Sequence, residues 1–190
     1  MTKENIIILP NKNLRLKSKK ITIINQKILD VIEMMKAATI DWDLSREHEV
    51  GVALAAIQIN KPYKIIIIRN DHNKKEDKTF KIFINPTITK YEGKQLEDYE
   101  GCLSVPDIYG KVLRFEKVHI SAIDQNAKQV KIIAEGFLAR IFQHEIDHTK
   151  GKLFIDHIKS NPNAFFKLTQ NGDLKSLNYE KDIRNNTILW

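Results

Sequence analysis

Hydrophobic side chains change their spacing several times along the chain, which divides it into helical and extended segments. Between Ile24 and Ile40 they recur every three or four residues, the spacing of one face of a helix. Asn25, at the start of this segment, is a favourable N-cap residue. The apolar stripe consists of Ile28, Val31, Ile32 and Met35. The pattern predicts one amphipathic helix here.

Four segments are rich in β-branched residues or alternate in polarity, and they predict strands. They are Lys64–Arg69, Phe80–Asn85, Lys111–Ile123 and Gln129–Ala134. The polar segments between them, Asn70–Thr79 and Asp124–Lys128, predict a loop and a turn. Residues 41–50 predict another loop, near the mouth of a cleft.

A second helix is predicted over Glu135–Lys150, with Gly151 as its C′ residue. With the strands, this gives an α+β fold in which antiparallel strands wrap around one central helix. The chain has no internal repeat and no linker rich in Pro, Gly or Ser, and its 190 residues fit one sizeable core. The periodicity weakens after Ser160, so the sequence predicts no definite structure for residues 161–190.

The composition is that of an ordinary soluble globular protein, with 42% hydrophobic and 29% charged residues. The single cysteine excludes an intramolecular disulfide and suits a reducing compartment. The longest apolar runs are far too short to cross a bilayer, and the first residues lack the apolar core of a signal peptide. We therefore expect a cytoplasmic protein without membrane contact.

A net charge of +7 raises the question of a polyanionic partner. Residues 12–20 contain five basic side chains and no acidic one. They are Lys12, Arg15, Lys17, Lys19 and Lys20. Such a segment can attract nucleic acid. It is equally compatible with a solvated basic loop.

The segment Gln143–His148 carries the clearest chemical signal. On a helix, His144 and His148 project from the same face, so both imidazoles can bind one metal ion. Glu145 lies about 100° further round the helix, where it can reach a water molecule without binding the metal itself. The His-Glu-x-x-His pattern therefore indicates metal-assisted hydrolysis. A solvated helical face with charges four residues apart would show the same sequence pattern.

The position of a third ligand is left open by the motif. Phe154 occupies the place where one class of metalloproteases has a third histidine, and His157 comes three residues later. Glu180 is a downstream candidate in a polar tail, and Cys102 is an upstream one. A lone cysteine is often only a small hydrophobic residue. A glycine beside it and polar neighbours make Cys102 a poor core residue.

Three motifs together resemble the peptide deformylase family. They are Gly51–Gln58 (GVALAAIQ), Glu100–Ser104 (EGCLS) and Gln143–His148 (QHEIDH), in the order of the family. The likeness extends over roughly residues 5–158, through Ile84-Asn85-Pro86, Arg114 and Gly151–Phe154. Three motifs in order are far more specific than any one of them. The resemblance implies a catalytic domain over residues 1–160, followed by the tail 161–190.

The resemblance also implies an activity: a metal-dependent amidase that removes the formyl group from the N-terminal methionine of new polypeptides and releases formate. It assigns Cys102, His144 and His148 as metal ligands and Glu145 as the proton carrier. The oxyanion donors would be the Gln58 side chain and the Leu103 N–H. The methionine pocket and cleft would involve Gly51, Val52, Ala53, Phe137 and Ile141, although apolar residues at helical spacing also suit a core.

Metal and partners follow from the same resemblance. The family implies one divalent ion, Fe(II) in the cell, with Zn, Ni or Co possible in a purified sample. The partners would be formyl-methionyl nascent peptides, with transient ribosome contact, and we expect a monomer. Ala53 departs from the family, which usually has glycine there. If that position needs a positive φ or close contact with substrate, its methyl group would strain the loop or narrow the cleft.

Two alternatives compete with this interpretation. One is an endopeptidase of the His-Glu-x-x-His type with Glu180 as third ligand. The other is a non-catalytic relative that binds metal or ribosome without turnover. Retention of Glu145, which contributes chemistry but no metal ligand, favours an active enzyme.

Overall fold

A computed structural model describes residues 6–46 and 49–190. The helices are α1 (Gln26–Asp43), α2 (Gly136–His148) and α3 (Phe154–Ile158). The strands are β1 (Ala53–Ala55), β2 (Ile65–Arg69), β3 (Phe80–Cys102), β4 (Val105–Ile123), β5 (Gln129–Glu135), β6 (Phe165–Leu168) and β7 (Leu174–Ser176). Single turns of 3₁₀ helix cover Lys12–Arg15 and Ala56–Ile59, and a π-helical turn covers Tyr179–Ile183.

All the strand pairs in the sheet are antiparallel, in the order β1-β2-β3-β4-β6-β7. Strand β5 pairs with the C-terminal half of β4, and β6 pairs with residues 108–110 of the same strand. Helix α2 packs against β1 to β5. The predicted α+β fold, with antiparallel strands around one central helix, is therefore confirmed.

Strand β2 is a run of isoleucines that lies between two apolar clusters of the core. Ile65 and Ile67 pack with α1 in one apolar cluster, whereas Ile66 and Ile68 pack with α2 in another. Successive side chains of a strand point to opposite faces, so a strand covered on both faces becomes apolar throughout. This strand is thus the partition between the two main parts of the core.

Helix α1 begins as predicted, because the Asn25 side chain accepts a hydrogen bond from the N–H of Ile28. The predicted stripe Ile28, Val31, Ile32 and Met35 is buried. Residues 41–43 continue this helix, so the predicted loop over 41–50 is wrong at its start. Residues 47–48 of that prediction lie outside the described residues. Glu49 and Val50 do line a cleft.

The central hairpin is much longer than the sequence indicated. Strand β3 continues past Asn85 to Cys102, and β4 starts at Val105 and not at Lys111. Most side chains in residues 87–99 are exposed and many are charged, so this part lacks the apolar alternation that identifies a strand. It is extended because β4 pairs with it along nearly its whole length.

Helix α2 ends two residues before the predicted position, and Thr149 is its C-cap. Gly151 then has φ +74°, and its N–H donates to the carbonyl of His148. A Cβ there would lie 2.3 Å from the carbonyl oxygen of Arg15. The glycine therefore allows both the left-handed turn and the close packing of the N-terminal segment.

Residues after Ser160, for which the sequence predicted no definite structure, pack onto the same core. Strand β6 extends the sheet along β4, and Phe165, Ile183 and Leu189 are buried with α3 and with Leu14. The division at residue 160 stays a prediction. No helix within residues 6–46 and 49–190 is both long and apolar enough to cross a bilayer.

Candidate metal centre

The two histidines of α2 and the cysteine at the end of β3 meet in space. Cys102 Sγ lies 3.3 Å from His148 Nε2, and His148 Nε2 lies 3.2 Å from His144 Nε2. All three ligand atoms are within 4.8 Å of one another. His148 is fully buried, His144 nearly so, and Cys102 half-buried.

These separations fit a single divalent metal ion. Metal–nitrogen bonds of about 2.0–2.1 Å and a metal–sulfur bond of about 2.3 Å put the ligand atoms of a tetrahedron roughly 3.3–3.6 Å apart. Burial, together with the neighbouring His144, lowers the pKa of His148 well below its ordinary value. A neutral imidazole is the form that binds a metal.

The ligands come from elements that the fold holds rigidly. Both histidines lie on the inner face of α2, four residues apart. Cys102 closes the β3–β4 ladder with Val105, at the two-residue turn Leu103–Ser104. The hairpin end therefore carries the sulfur to the helix.

A buried carboxylate fixes the orientation of the first histidine. Glu100 Oε2 lies 2.9 Å from His144 Nδ1, which keeps the proton on Nδ1 and leaves Nε2 for a metal. Arg114 and Arg140 both donate to Glu100. Burial alone would raise the pKa of Glu100, but its hydrogen bonds with His144 and Arg114 hold that pKa well below its ordinary value. The carboxylate therefore stays charged in the interior.

Arg114 links this carboxylate to a second buried one, Asp147 of α2. Its guanidinium lies 2.6 Å from Asp147 Oδ2, and His157 lies 2.7 Å from the same oxygen. Burial raises the pKa of Asp147, but His157 and Arg114 together lower it to about 2. His157 is thus engaged by Asp147 and takes no part in the Cys–His–His group.

Glu145 lies beside the ligands but outside their group. It is almost fully buried and lines the cleft next to His144. Its Oε2 has no hydrogen-bond partner among the described residues. Burial raises the pKa of Glu145 to about 7, and the nearby His144 opposes that rise. A carboxylate in such surroundings can accept and return a proton.

Gln58 and Leu103, the two predicted oxyanion donors, both line the cleft. Gln58 Nε2 lies 3.6 Å from the Cys102 sulfur and 3.2 Å from Ser104 Oγ. Its Oε1 accepts the N–H of Ala55 at 2.8 Å, which fixes the amide. Leu103 is the first turn residue after Cys102. The role of its N–H as an oxyanion donor stays a prediction.

Comparison with known proteins agrees with this geometry. The family model described as polypeptide deformylase matches residues 3–164. The chain belongs to this family. A peptide deformylase of Aquifex aeolicus is 38% identical over 157 residues, which cover 82% of this chain and 87% of the relative. That of Halothermothrix orenii is 42% identical over 145 residues, 76% of this chain and 86% of the relative.

Solved structures of deformylases have the same fold. A Synechococcus elongatus peptide deformylase in complex with actinonin matches with a TM-score of 0.73 and 31% identity, covering 82% of this chain and 80% of that one. A Legionella pneumophila peptide deformylase matches with a TM-score of 0.70 and 36% identity, covering 80% and 83%. The present deformylase is thus a metal-dependent hydrolase that removes the N-terminal formyl group from newly made polypeptides.

The cleft of this deformylase is a cavity of 320 Å³ with Cys102 and His144 in its wall, and His148 is buried behind them. Four of the five predicted pocket residues line it: Val52, Ala53, Phe137 and Ile141. Gly51 is not among the lining residues. Its N–H donates to Asp43 and its carbonyl accepts from Arg69. A role for Gly51 in substrate binding stays a prediction.

The cavity also contains Tyr99, Tyr109 and Arg140, which the sequence did not single out. Trp42, Glu49 and Val50 line it too, from the segment predicted to lie near the mouth of a cleft, as does Gly101 of the second motif. Trp42 comes from the last turn of α1 and Tyr109 from β4, and only the folded chain brings them together. Glu100 and Arg114 could have been found, since both belong to segments that resemble the family.

Glu180, the alternative third ligand, does not belong to this site. Glu180 lies in the π-helical turn, is largely exposed, and pairs with Arg184 at 2.9 Å. It is not part of the Cys–His–His group. The geometry therefore gives no support to an endopeptidase with this glutamate as ligand.

Proposed function

We propose that this deformylase works with one divalent metal ion held by Cys102, His144 and His148. The observation that carries this proposal is the convergence of these three side chains, with their ligand atoms within 4.8 Å of one another, beside a cavity lined by Cys102, His144 and Glu145. Such an ion would act as a Lewis acid that polarises the formyl carbonyl and lowers the pKa of a water molecule.

The chain's own residues then divide the remaining work. Glu145 takes a proton from the attacking water and delivers it to the leaving amine nitrogen. The Gln58 amide and the Leu103 N–H donate to the oxygen that becomes negative as the formyl carbon is attacked. Val52, Phe137 and Ile141 exclude water and provide the apolar surface for the methionine side chain.

The experiment is formate release from formyl-Met-Ala-Ser, measured with anaerobically prepared protein and with its Cys102→Ala and Glu180→Ala variants. Cys102→Ala should lose both metal and activity, while Glu180→Ala should keep both. The reverse result, with cleavage of internal peptide bonds, would favour the endopeptidase. Metal retention without any formate would favour a non-catalytic relative.

We propose Fe(II) as the ion in the cell. One thiolate and two imidazoles suit Fe(II) as well as zinc, nickel or cobalt. Elemental analysis of protein purified without oxygen, compared with protein purified in air, tests this. Iron in the first sample and its loss with activity in the second is the expected outcome.

We also propose that the protein is a cytoplasmic monomer that contacts the ribosome transiently. Lys12, Lys17, Lys19 and Lys20 are exposed, whereas Arg15 pairs with Asp156. Cosedimentation with ribosomes should weaken steeply with salt and with Lys17→Glu/Lys19→Glu. Salt-independent association would count against contact with ribosomal RNA through this basic segment. Light scattering tests the monomer, and cell fractionation tests the location.

A further inference from the structure

A second cavity, of 680 Å³, adjoins the catalytic one. Glu49 lines both. Tyr109 lines the first and Asp107, two residues before it on β4, lines the second. Two residues of chain span at most about 7 Å, so the two spaces are neighbours along one strand.

The wall of the second cavity is built by the hairpin β6–β7. Its contribution consists of Lys167, Leu168, Thr169, Gln170, Lys175, Ser176 and Leu177. The family match ends at residue 164, so this wall lies beyond the matched part of the chain. Strand β6 is held against the cleft because Ile108 pairs with Lys167 and Tyr109 with Phe166.

Charges at the boundary between the cavities are already paired. Arg46 lies 2.6 Å from Asp107 and 3.5 Å from Glu49. The Tyr109 hydroxyl donates to Glu49 at 2.8 Å. Both carboxylates of the second cavity are therefore engaged, and they are not available to neutralise further cations.

The positive charges of two lysines in the hairpin are not neutralised in this way. Lys167 and Lys175 stand directly opposite each other in the β6–β7 register, and both are exposed. Neither has a carboxylate partner among residues 6–46 and 49–190. Like charges in opposite positions destabilise a strand pair. An acidic group brought by a ligand would relieve this repulsion.

We propose that the second cavity is a subsite for the segment of the substrate that follows formyl-methionine, and that Lys167 and Lys175 favour acidic side chains there. The inference rests on the proposed function, since the formyl group must lie at the Cys–His–His group for the chain to run this way. An extended peptide advances about 3.3–3.6 Å per residue. We assign the second cavity to the fourth and fifth residues of the substrate, beyond the end of a tripeptide.

The test compares three amidated substrates: formyl-Met-Ala-Ser, formyl-Met-Ala-Ser-Glu-Glu and formyl-Met-Ala-Ser-Lys-Lys. At low ionic strength the wild type should prefer the acidic pentapeptide over the basic one by about threefold to tenfold in kcat/KM. Lys167→Glu/Lys175→Glu should reverse the preference. The tripeptide should be hydrolysed equally by both proteins, because it does not reach the hairpin.

Lys128→Glu/Lys131→Glu is the matched control, since these exposed lysines lie at the turn before β5 and at β5 itself, away from both cavities. It should keep the wild-type preference. An equal loss in the control would indicate a general charge effect and overturn the subsite. So would equal rates for the two pentapeptides with normal tripeptide turnover. Absence of tripeptide turnover in the wild type would instead refute the proposed function.

Discussion

Glu145 is placed where it can transfer a proton without binding the metal. It lines the cleft beside His144 without joining the ligand group. Glu145→Ala should therefore keep its metal but lose about 10²–10⁴-fold in kcat, because the ligands remain and the proton carrier is removed. Metal content and formate release, measured on the same sample, check this.

Glu145→Gln is the informative companion, because it keeps the shape of the side chain and removes only its capacity to carry a proton. It should be as inactive as the alanine variant. Substantial activity in either variant at full metal loading would show that another group moves the proton.

Ala53 is the residue at which the chain departs from its family. The structure places it in β1, paired with Ile68, and its φ is not positive. The backbone strain that a positive φ would cause at position 53 is therefore absent, but Ala53 does line the cleft. Ala53→Gly should raise kcat/KM for formyl-Met-Ala-Ser by up to about tenfold. It should also lower stability by about 0.5–1 kcal/mol.

The measurements are initial rates and urea unfolding of wild type and Ala53→Gly. Val52→Ala, at the neighbouring lining position, provides a comparison in which a larger apolar contact is removed. An Ala53→Gly variant that is slower than wild type would mean that the methyl group contributes to substrate positioning.

Spacing predicted the two histidines as a pair, because residues four apart share a helix face. Spacing left the third ligand open, and Cys102 was predicted only through the resemblance to the family. Arg140 could not be found in this way. It lines the cleft and donates to Glu100 only because α2 crosses the β3–β4 hairpin, a contact that no local pattern encodes.

At the scale of elements, Glu100 joins β3 to β4 and to α2. Glu100→Gln keeps the side-chain shape but removes the charge that holds His144, Arg114 and Arg140. Metal affinity should fall about 10–100-fold, as expected for loss of a partner behind a ligand. Competition with a chromogenic chelator measures it.

Glu92→Gln is the control on the same strand. Glu92 makes ion pairs with Lys90 and Lys117, but it is only partly buried and is distant in sequence from the turn that carries Cys102. Its replacement should leave metal affinity unchanged. An equal loss in both variants would point to a general weakening of β3.

Gly151 determines how the end of α2 packs on the N-terminal segment. Gly151→Ala combines a left-handed φ with a Cβ 2.3 Å from the Arg15 carbonyl oxygen. It should destabilise the protein by about 2–4 kcal/mol. Gly136→Ala also has a positive φ but meets no atom within 4 Å, so it should cost only about 1–2 kcal/mol. Urea unfolding of both variants checks the difference, and equal losses would refute the clash.

Elements with a strong apolar pattern were predictable, whereas the long hairpin was not. Helix α1 and strand β2 bury their apolar residues, so both elements show a recognisable hydrophobic pattern in the sequence. Residues 87–99 are extended because of their partner strand and not because of their composition. Pairing of that kind is a property of two segments together.

At the scale of the whole molecule, a metal ion would connect the end of β3 to α2 and stabilise the fold. Ligand binding at about 100 to 1,000 times Kd contributes roughly 2.7–4.1 kcal/mol. Removing the ion with a chelator should therefore lower Tm by about 5–15 °C. Cys102→Ala should unfold at the lower temperature with or without chelator. A Tm that does not respond in the wild type would contradict a bound ion at this position.

The ribbon formed by β3 and β4 contains register shifts, one of them between Gly101 and Cys102, immediately before the sulfur ligand. Inserting or deleting one residue upstream would turn the thiol to the opposite face of the ribbon unless a new bulge absorbed the change. Evolution can thus lengthen this arm readily only in steps of two, and the mostly exposed residues 87–99 can vary in side chain more freely than in number.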